Sequence, residues 1–255
     1  MSVITYTNRP NKLGLLKKGE ELFNYNINYI INDSWKTYKF YSKIRETALY
    51  IENLNDDDII VFIDAHDVVL NSNKEEFVKK FKSLNCDILF SSELICYPTR
   101  YKEKMDDIMP SHLESKYLNA GGYIGYVKSI KEMFKWKTEE RIDSMCGGGG
   151  DQAYFMEYFI NNYDKVNIKL DIHSTIFQSM IRIPWEHIEF KNGRGYNKNN
   201  DSYPCFFHFN GGSCRGINKN KCAINIMPTF YDLMEQSKKD NKVYDLSNYK
   251  KGFKN

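Results

Sequence analysis

Apolar runs and alternations divide the chain into strand-sized and helix-sized pieces. Ser2–Thr7 predicts a first strand, Asn8-Arg9-Pro10 a turn, and the residues through about Phe23 a helix. Tyr25–Ile31 alternates and predicts a second strand. Phe40, Ile44, Ala48 and Ile51 recur at helical spacing, which predicts a helix over Thr37–Asn53 ending before the acidic turn Asp56-Asp57-Asp58. A continuous apolar strand follows at Ile59–Ile63, then a helix near Lys74–Leu84 and a strand at Asp87–Ser91. This alternation of strand and helix argues for a parallel, nucleotide-binding sheet. The second half is less regular. Leu118–Tyr126 reads as a glycine-containing strand and Val127–Lys137 and Gln152–Ile160 as helices. Ile168–Asp171, Thr175–Gln178, Glu186–Phe190 and Pro204–Phe209 read as short strands. Residues 1–237 are expected to form one domain, and the lysine-rich Lys238–Asn255 a loosely held tail.

The strand Ile59–Ile63 runs straight into Asp64-Ala65-His66-Asp67. A buried strand that ends in acids points them into the crevice at the carboxyl edge of a sheet, where α/β proteins bind ligands. Two carboxylates at this spacing suit a hard divalent cation that also grips a diphosphate. They equally suit an aspartate that caps the following turn.

Composition narrows the classes. The chain has 255 residues, 42% hydrophobic and 15% aromatic, enough for a substantial core. Its net charge of +3 does not imply a nucleic-acid surface. It contains no run of about 18 apolar residues, so no membrane span is expected. Its first residues carry no basic region, long apolar core or cleavage site. An intracellular location is therefore expected. Six cysteines (86, 96, 146, 205, 214 and 222) are scattered without a CxxC pair, which argues against a zinc site and for free thiols.

Three further motifs carry candidate chemistry. Phe206-Phe207-His208-Phe209-Asn210-Gly211-Gly212 ends a late strand in an imidazole. His208 there can be a third metal ligand or a packed, hydrogen-bonded residue, and the small residues after it let backbone amides approach phosphate oxygens. Leu118-Asn119-Ala120-Gly121-Gly122 sets an amide among glycines, which suits either a sugar contact or a bulged strand. Gly147–Gly150 followed by Asp151-Gln152 places an acid at a helix start. That acid either caps the helix or swings over a bound sugar on a flexible tether. No nucleophile elbow, P-loop or dinucleotide fingerprint is present.

Taken in order, Asp64-x-x-Asp67, Ser92-Glu93…Cys96-Tyr97-Pro98, Leu118–Gly122, Asp151-Gln152, Ile176-Phe177-Gln178 and His208-x-Asn210-Gly211 resemble the N-terminal glycosyltransferase domain of the procollagen lysyl hydroxylases. They also resemble the stand-alone collagen glycosyltransferases of giant viruses. The likeness runs from Val3-Ile4-Thr5 through His208. It implies an α/β fold of the GT-A type, with a Rossmann-like nucleotide-binding half and a mixed-sheet acceptor half.

The same resemblance implies roles. Asp64, Asp67 and His208 match metal ligands, expected to hold Mn2+. Thr7, Trp35 and Lys43 match positions that contact uridine diphosphate, with Asn210 and Gly211 in a phosphate-binding loop. Glu93, Tyr97, Asn119, Asp151 and Gln152 match the sugar and acceptor side, where Asp151, Glu93, Asn119 and Gln152 are the catalytic candidates. Three departures stand out. His66, which joins the substrate-contacting set, replaces a tyrosine of the animal enzymes, Tyr97 replaces a tryptophan, and glycines replace an acidic run before Asp151. The resemblance implies transfer of glucose from UDP-glucose to galactosyl-hydroxylysine of a collagen-like protein, through an α-1,2 link with retention. It admits a homodimer and, for a viral protein, a host-cell setting. A UDP-galactose-dependent hydroxylysine transferase and a catalytically silent collagen-binding module are the alternatives.

Overall fold

The computed structural model describes residues 1–32, 40–210 and 226–248. Strands β1 (Ser2–Thr7), β2 (Ile27–Ile31) and β3 (Ile59–Ile63) pair in parallel, with β1 in the middle. Helix α1 (Gly14–Leu22) links the first pair and α2 (Phe40–Ile51) precedes β3. The short β4 (Val68–Leu70) and helix α3 (Lys74–Ser83) lead to β5 (Ile88–Glu93). Asn73 caps α3, its side chain accepting from the Glu76 amide, with Glu75 and Glu76 in the first turn and Lys80 and Lys82 in the last. After α4 (Lys102–Ile108), the ten-residue β6 (Tyr117–Tyr126) returns through the sheet. Helices α5 (Val127–Phe134), α6 (Glu139–Gly147) and α7 (Gly150–Asn162) follow, then β7 (Ile168–Leu170) and β8 (Phe177–Ser179). Strands β9 (Ile188–Lys191), β10 (Arg194–Asn197) and β11 (Phe206–His208) lead to α8 (Phe230–Asp240) and β12 (Tyr244–Asp245).

The main sheet has the order β2-β1-β3-β6-β5-β7. All its strands run one way except β6, which lies antiparallel between β3 and β5. The sheet expected to be parallel is thus mixed, with one antiparallel strand among parallel ones. β6 is buried over nearly its whole length, so burial and not alternation governs its sequence. A smaller sheet, β4-β11-β8, packs beside it, and β10-β9-β12 forms a third.

Alternation along β3 divides two cores. Ile60 and Phe62 face a cluster with Ile44, Ile130, Ile142 and Phe155, contributed by α2, α5, α6 and α7. Val61 and Ile63 face Leu16, Phe77, Phe81 and Phe206 on the opposite side. Phe62 stacks on Tyr123 at 5.0 Å, and Phe155 closes on Tyr123 at 5.4 Å. Each such ring contributes roughly 1.5–3 kcal/mol by burial, which gives the sheet edge above it a rigid base.

Two expectations need correction here. Lys238 lies inside α8, Tyr244–Asp245 pairs with β9, and Leu246 is fully buried in the third core. The stretch from Lys238 to Asn248 is therefore folded, held by the spaced apolar residues Tyr244 and Leu246 among polar neighbours; residues 249–255 lie outside the described ones. The glycines 147–150 are not a tether either. Gly147 ends α6, and Gly149 is the N-cap of α7. A Cβ on Gly149 would meet Pro98 at 2.0 Å, so glycine is required by close packing between two helices. Among the described residues no helix is long and apolar enough to cross a membrane.

Candidate active site

Strand ends converge on one edge of the main sheet. Thr7 closes β1, Asp64 follows β3, and Glu93 closes β5, three carboxyl ends of strands running in one direction. This is the crevice where open α/β sheets take ligands. The small sheet brings in the remaining group. His208 ends β11 directly opposite Val68, and Phe209 donates its amide to the Asp67 carbonyl at 2.7 Å. The imidazole is thereby carried to the two aspartates.

His208 Nε2 lies 3.5 Å from Asp64 Oδ2 and 3.3 Å from Asp67 Oδ2. It is buried and has no hydrogen-bond partner. One donor atom from each of the three residues lies within 4.8 Å of the others. Bonds of about 2.0–2.6 Å to one cation bring ligand atoms to such separations. Two carboxylates and an imidazole with a free nitrogen fit a divalent ion such as Mn2+. The electrostatics agree. Burial opposes charge on His208, but Asp67 and Asp64 outweigh it and raise the imidazole above its ordinary value. Burial likewise disfavours the Asp67 anion, yet His208 and Lys43 hold it below the usual carboxylate range. The pocket favours a positive charge where these groups meet.

Gly121 makes room for that imidazole. Its carbonyl accepts from the Asp64 amide at 2.9 Å, and a Cβ there would meet His208 Cε1 at 2.0 Å. Gly122 in the same way accommodates Phe206. Of the two readings of this motif the structure shows the bulged strand: the β5–β6 register shifts between Asn119 and Tyr123, and the glycines there are a floor for two rings. Gly121→Ala is therefore expected to displace His208 and to weaken the binding of a divalent cation at least tenfold while the chain stays folded. A Mn2+ titration with circular dichroism as the folding control measures it, and unchanged affinity would count against this packing.

Lys43 is buried on α2. Its Nζ lies 2.6 Å from Asp64 Oδ1 and 2.6 Å from Asp151 Oδ2, and 4.8 Å from the centre of the Phe62 ring. Burial opposes the ammonium charge, but Asp151 and Asp64 outweigh it and hold the proton. Lys43 thus joins the acid of the metal pocket to the acid of α7. Asp151 is buried in the first turn of α7 and is not its N-cap, which is Gly149.

Glu93 is 4% exposed and gathers three amides. Its Oε1 accepts from Gln152 Nε2 at 2.8 Å. Its Oε2 accepts from Asn119 Nδ2 at 3.0 Å and from Asn210 Nδ2. Burial pushes its carboxyl up to about 7 against the pull of these donors. Gln152 also donates to the Tyr97 carbonyl at 2.8 Å, and the Tyr97 side chain is exposed at the rim. On the opposite side Thr7 Oγ1 meets His66 Nε2 at 3.0 Å, close to the Asp64–Asp67 turn. Trp35 and Gly211 lie outside the described residues. Twelve sequence-predicted residues thus fall around one crevice: Thr7, Lys43, Asp64, His66, Asp67, Glu93, Tyr97, Asn119, Asp151, Gln152, His208 and Asn210. Ser179, which donates to Asn210 Oδ1 at 2.8 Å, was not foreseen; it sits opposite His208 across the β8–β11 pair.

The comparisons agree with this architecture. The family model described as the PLOD GT domain matches residues 14–230. An uncharacterized protein of Acanthamoeba polyphaga mimivirus, R699, is 35% identical over 179 residues, covering 69% of this chain and 36% of that protein. Procollagen-lysine,2-oxoglutarate 5-dioxygenase 1 of Gallus gallus is 29% identical over 211 residues, 76% of this chain and 28% of that one. The chain therefore spans about a third of the length of the curated relatives it matches. Among solved structures, the galactosyltransferase LgtC with donor and acceptor sugar analogs superposes with a TM-score of 0.54 at 14% identity, covering 92% of this chain and 96% of that one. The fold is that of the GT-A glycosyltransferases. With most of its length matched and the crevice built from the motifs in their expected order, the chain belongs to the PLOD GT domain family of glycosyltransferases.

Proposed function

We propose that this protein transfers glucose from UDP-glucose to galactosyl-hydroxylysine of a collagen-like chain, forming an α-1,2 link with retention, and that Mn2+ is its metal. The observation that carries the metal-dependent reading is the buried, unpartnered Nε2 of His208 facing Asp64 and Asp67 at the carboxyl edge of the sheet. Family membership supports the sugar chemistry and the acceptor class. When bound, the cation supplies positive charge to the diphosphate of the leaving group.

The chain's own residues would do the rest. Thr7, His66, Lys43 and Asn210 would serve the nucleotide side, and the family resemblance assigns Trp35 and Gly211, outside the described residues, to the same role. Glu93 holds the amides of Asn119, Gln152 and Asn210, with Gln152 on the sugar side and Tyr97 at the acceptor rim. In a same-face displacement the bond from the anomeric carbon to the diphosphate oxygen breaks as that to the acceptor oxygen forms. The acceptor proton passes to the departing phosphate, so no fixed protein base is needed. The negative charge of Asp151 favours the cationic sugar centre between these events.

A panel of UDP-sugars on deglucosylated collagen, with and without Mn2+, tests the donor. UDP-glucose with Mn2+ is expected to give the fastest UDP release. A clear preference for UDP-galactose would move the chain to the hydroxylysine galactosyltransferase reading, and no release with any donor to the silent module. The nucleotide side has its own expected outcome. UDP should raise the melting temperature only when Mn2+ is present, because a ligand that binds the native state alone stabilises by mass action. Equal shifts from UDP and GDP would count against uracil recognition.

A further inference from the structure

Asn119 has its amide committed on every side. Its Oδ1 accepts from the Gly121 amide at 3.0 Å and faces His208 Nδ1 at 3.0 Å, while its Nδ2 donates to Glu93 Oε2 at 3.0 Å. The side chain is 3% exposed, so little of it is left for a substrate hydroxyl. The Gly121 amide can only donate, which fixes the side-chain amide with its oxygen toward Gly121 and the imidazole and its nitrogen toward Glu93. An oxygen in that place makes Nδ1 the protonated nitrogen of His208. The lone pair then lies on Nε2, the buried atom without a partner that faces Asp64 and Asp67. Glu93 is held in turn by Gln152 and Asn210, so the relay is anchored from α7 and from the end of β11.

We infer that Asn119 is a positioning residue for the metal: oriented by Glu93, it sets the tautomer and ring angle of His208 and so governs cation affinity, instead of contacting the sugar. This rests on the metal reading of Asp64, Asp67 and His208. Outer partners that fix a ligating histidine typically account for about 10–100-fold in metal affinity. Two near-isosteric replacements separate the relevant atom. Asn119→Leu fills the same space without an acceptor, whereas Asn119→Asp keeps an oxygen facing Nδ1.

The experiment measures the Mn2+ dissociation constant of the full chain by electron paramagnetic resonance, with UDP present. Asn119→Leu is expected to weaken binding by about 10–100-fold and to reduce the nitrogen modulation from coordinated imidazole in the pulsed spectrum. Asn119→Asp keeps an oxygen toward Nδ1 but cannot donate to Glu93 as the amide does, and is expected to bind more tightly than Asn119→Leu and no more tightly than the parent. In a His208→Ala background the leucine change should cost nothing further, because its effect passes through the ring. A purely structural role would instead give losses that add in that background, and would overturn the inference. So would parental affinity and parental nitrogen modulation in Asn119→Leu. Should that variant not fold, Asn119→Ala takes its place in the same cycle. Asp64→Ala is the control for the underlying reading: intact Mn2+ binding there defeats the metal site itself, whereas its loss beside unchanged binding in Asn119→Leu defeats only the positioning role.

Discussion

Asp64→Ala and Asp67→Ala are each expected to reduce sugar transfer to background, and excess chelator to do the same to the parent protein. Each change removes one of the two carboxylates that face His208 Nε2 and leaves too few donors to hold a cation against a diphosphate. The two variants should still differ in stability. Asp64 also pairs with Lys43, so its loss leaves a buried ammonium leaning on Asp151 alone, and removing one partner of a buried ion pair is destabilising. The melting temperature should therefore fall further in Asp64→Ala than in Asp67→Ala. Full transfer in chelator, with metal confirmed absent, would defeat the assignment of all three ligands.

Asp151→Asn is the second large effect expected. If the residue merely capped a helix, asparagine would serve about as well. Gly149 occupies the cap, however, and Asp151 is buried against Lys43 within the first turn. Asparagine cannot neutralise that ammonium, which then draws on Asp64 and competes with the cation for it. Turnover is expected to drop by about two or more orders of magnitude, as for loss of a charged transition-state contact. UDP affinity, measured in the same preparation at a saturating concentration of the cation, should change little. Near-parental turnover would return the catalytic role to Glu93.

How much of this was legible in the sequence depends on how local its cause is. β3 was read with its observed bounds because five consecutive apolar residues are flanked by acids on both sides. The grouping of Asp64, Asp67 and His208 was legible too, since both aspartates follow that strand and His208 ends another. Helix α6 was overlooked although Thr138 caps it, accepting from the Arg141 amide, and Ile142, Met145 and Cys146 give it a helical stripe. The neighbouring glycines drew the eye to a tether that is a tight joint. The insertion of β6 between β3 and β5 was not legible, because strand order is decided by long-range pairing that leaves no local pattern. The same holds for Lys43. Its charge suggested phosphate, and its reach to both Asp64 and Asp151 follows only from how α2 and α7 pack on the sheet.

The place of β6 bears on how a working site is assembled during synthesis. β3 and β5 are made before it and have no hydrogen bonds to each other until it enters between them, and the strand that carries His208 is made later still. Contacts this distant in sequence form slowly. A nascent chain that has emerged as far as α7 holds a pair of aspartates and no imidazole to complete them. Capture of a cation by all three residues would thus wait until β11 has docked on β4, and on the proposed metal reading a bound cation would report folding through that late strand.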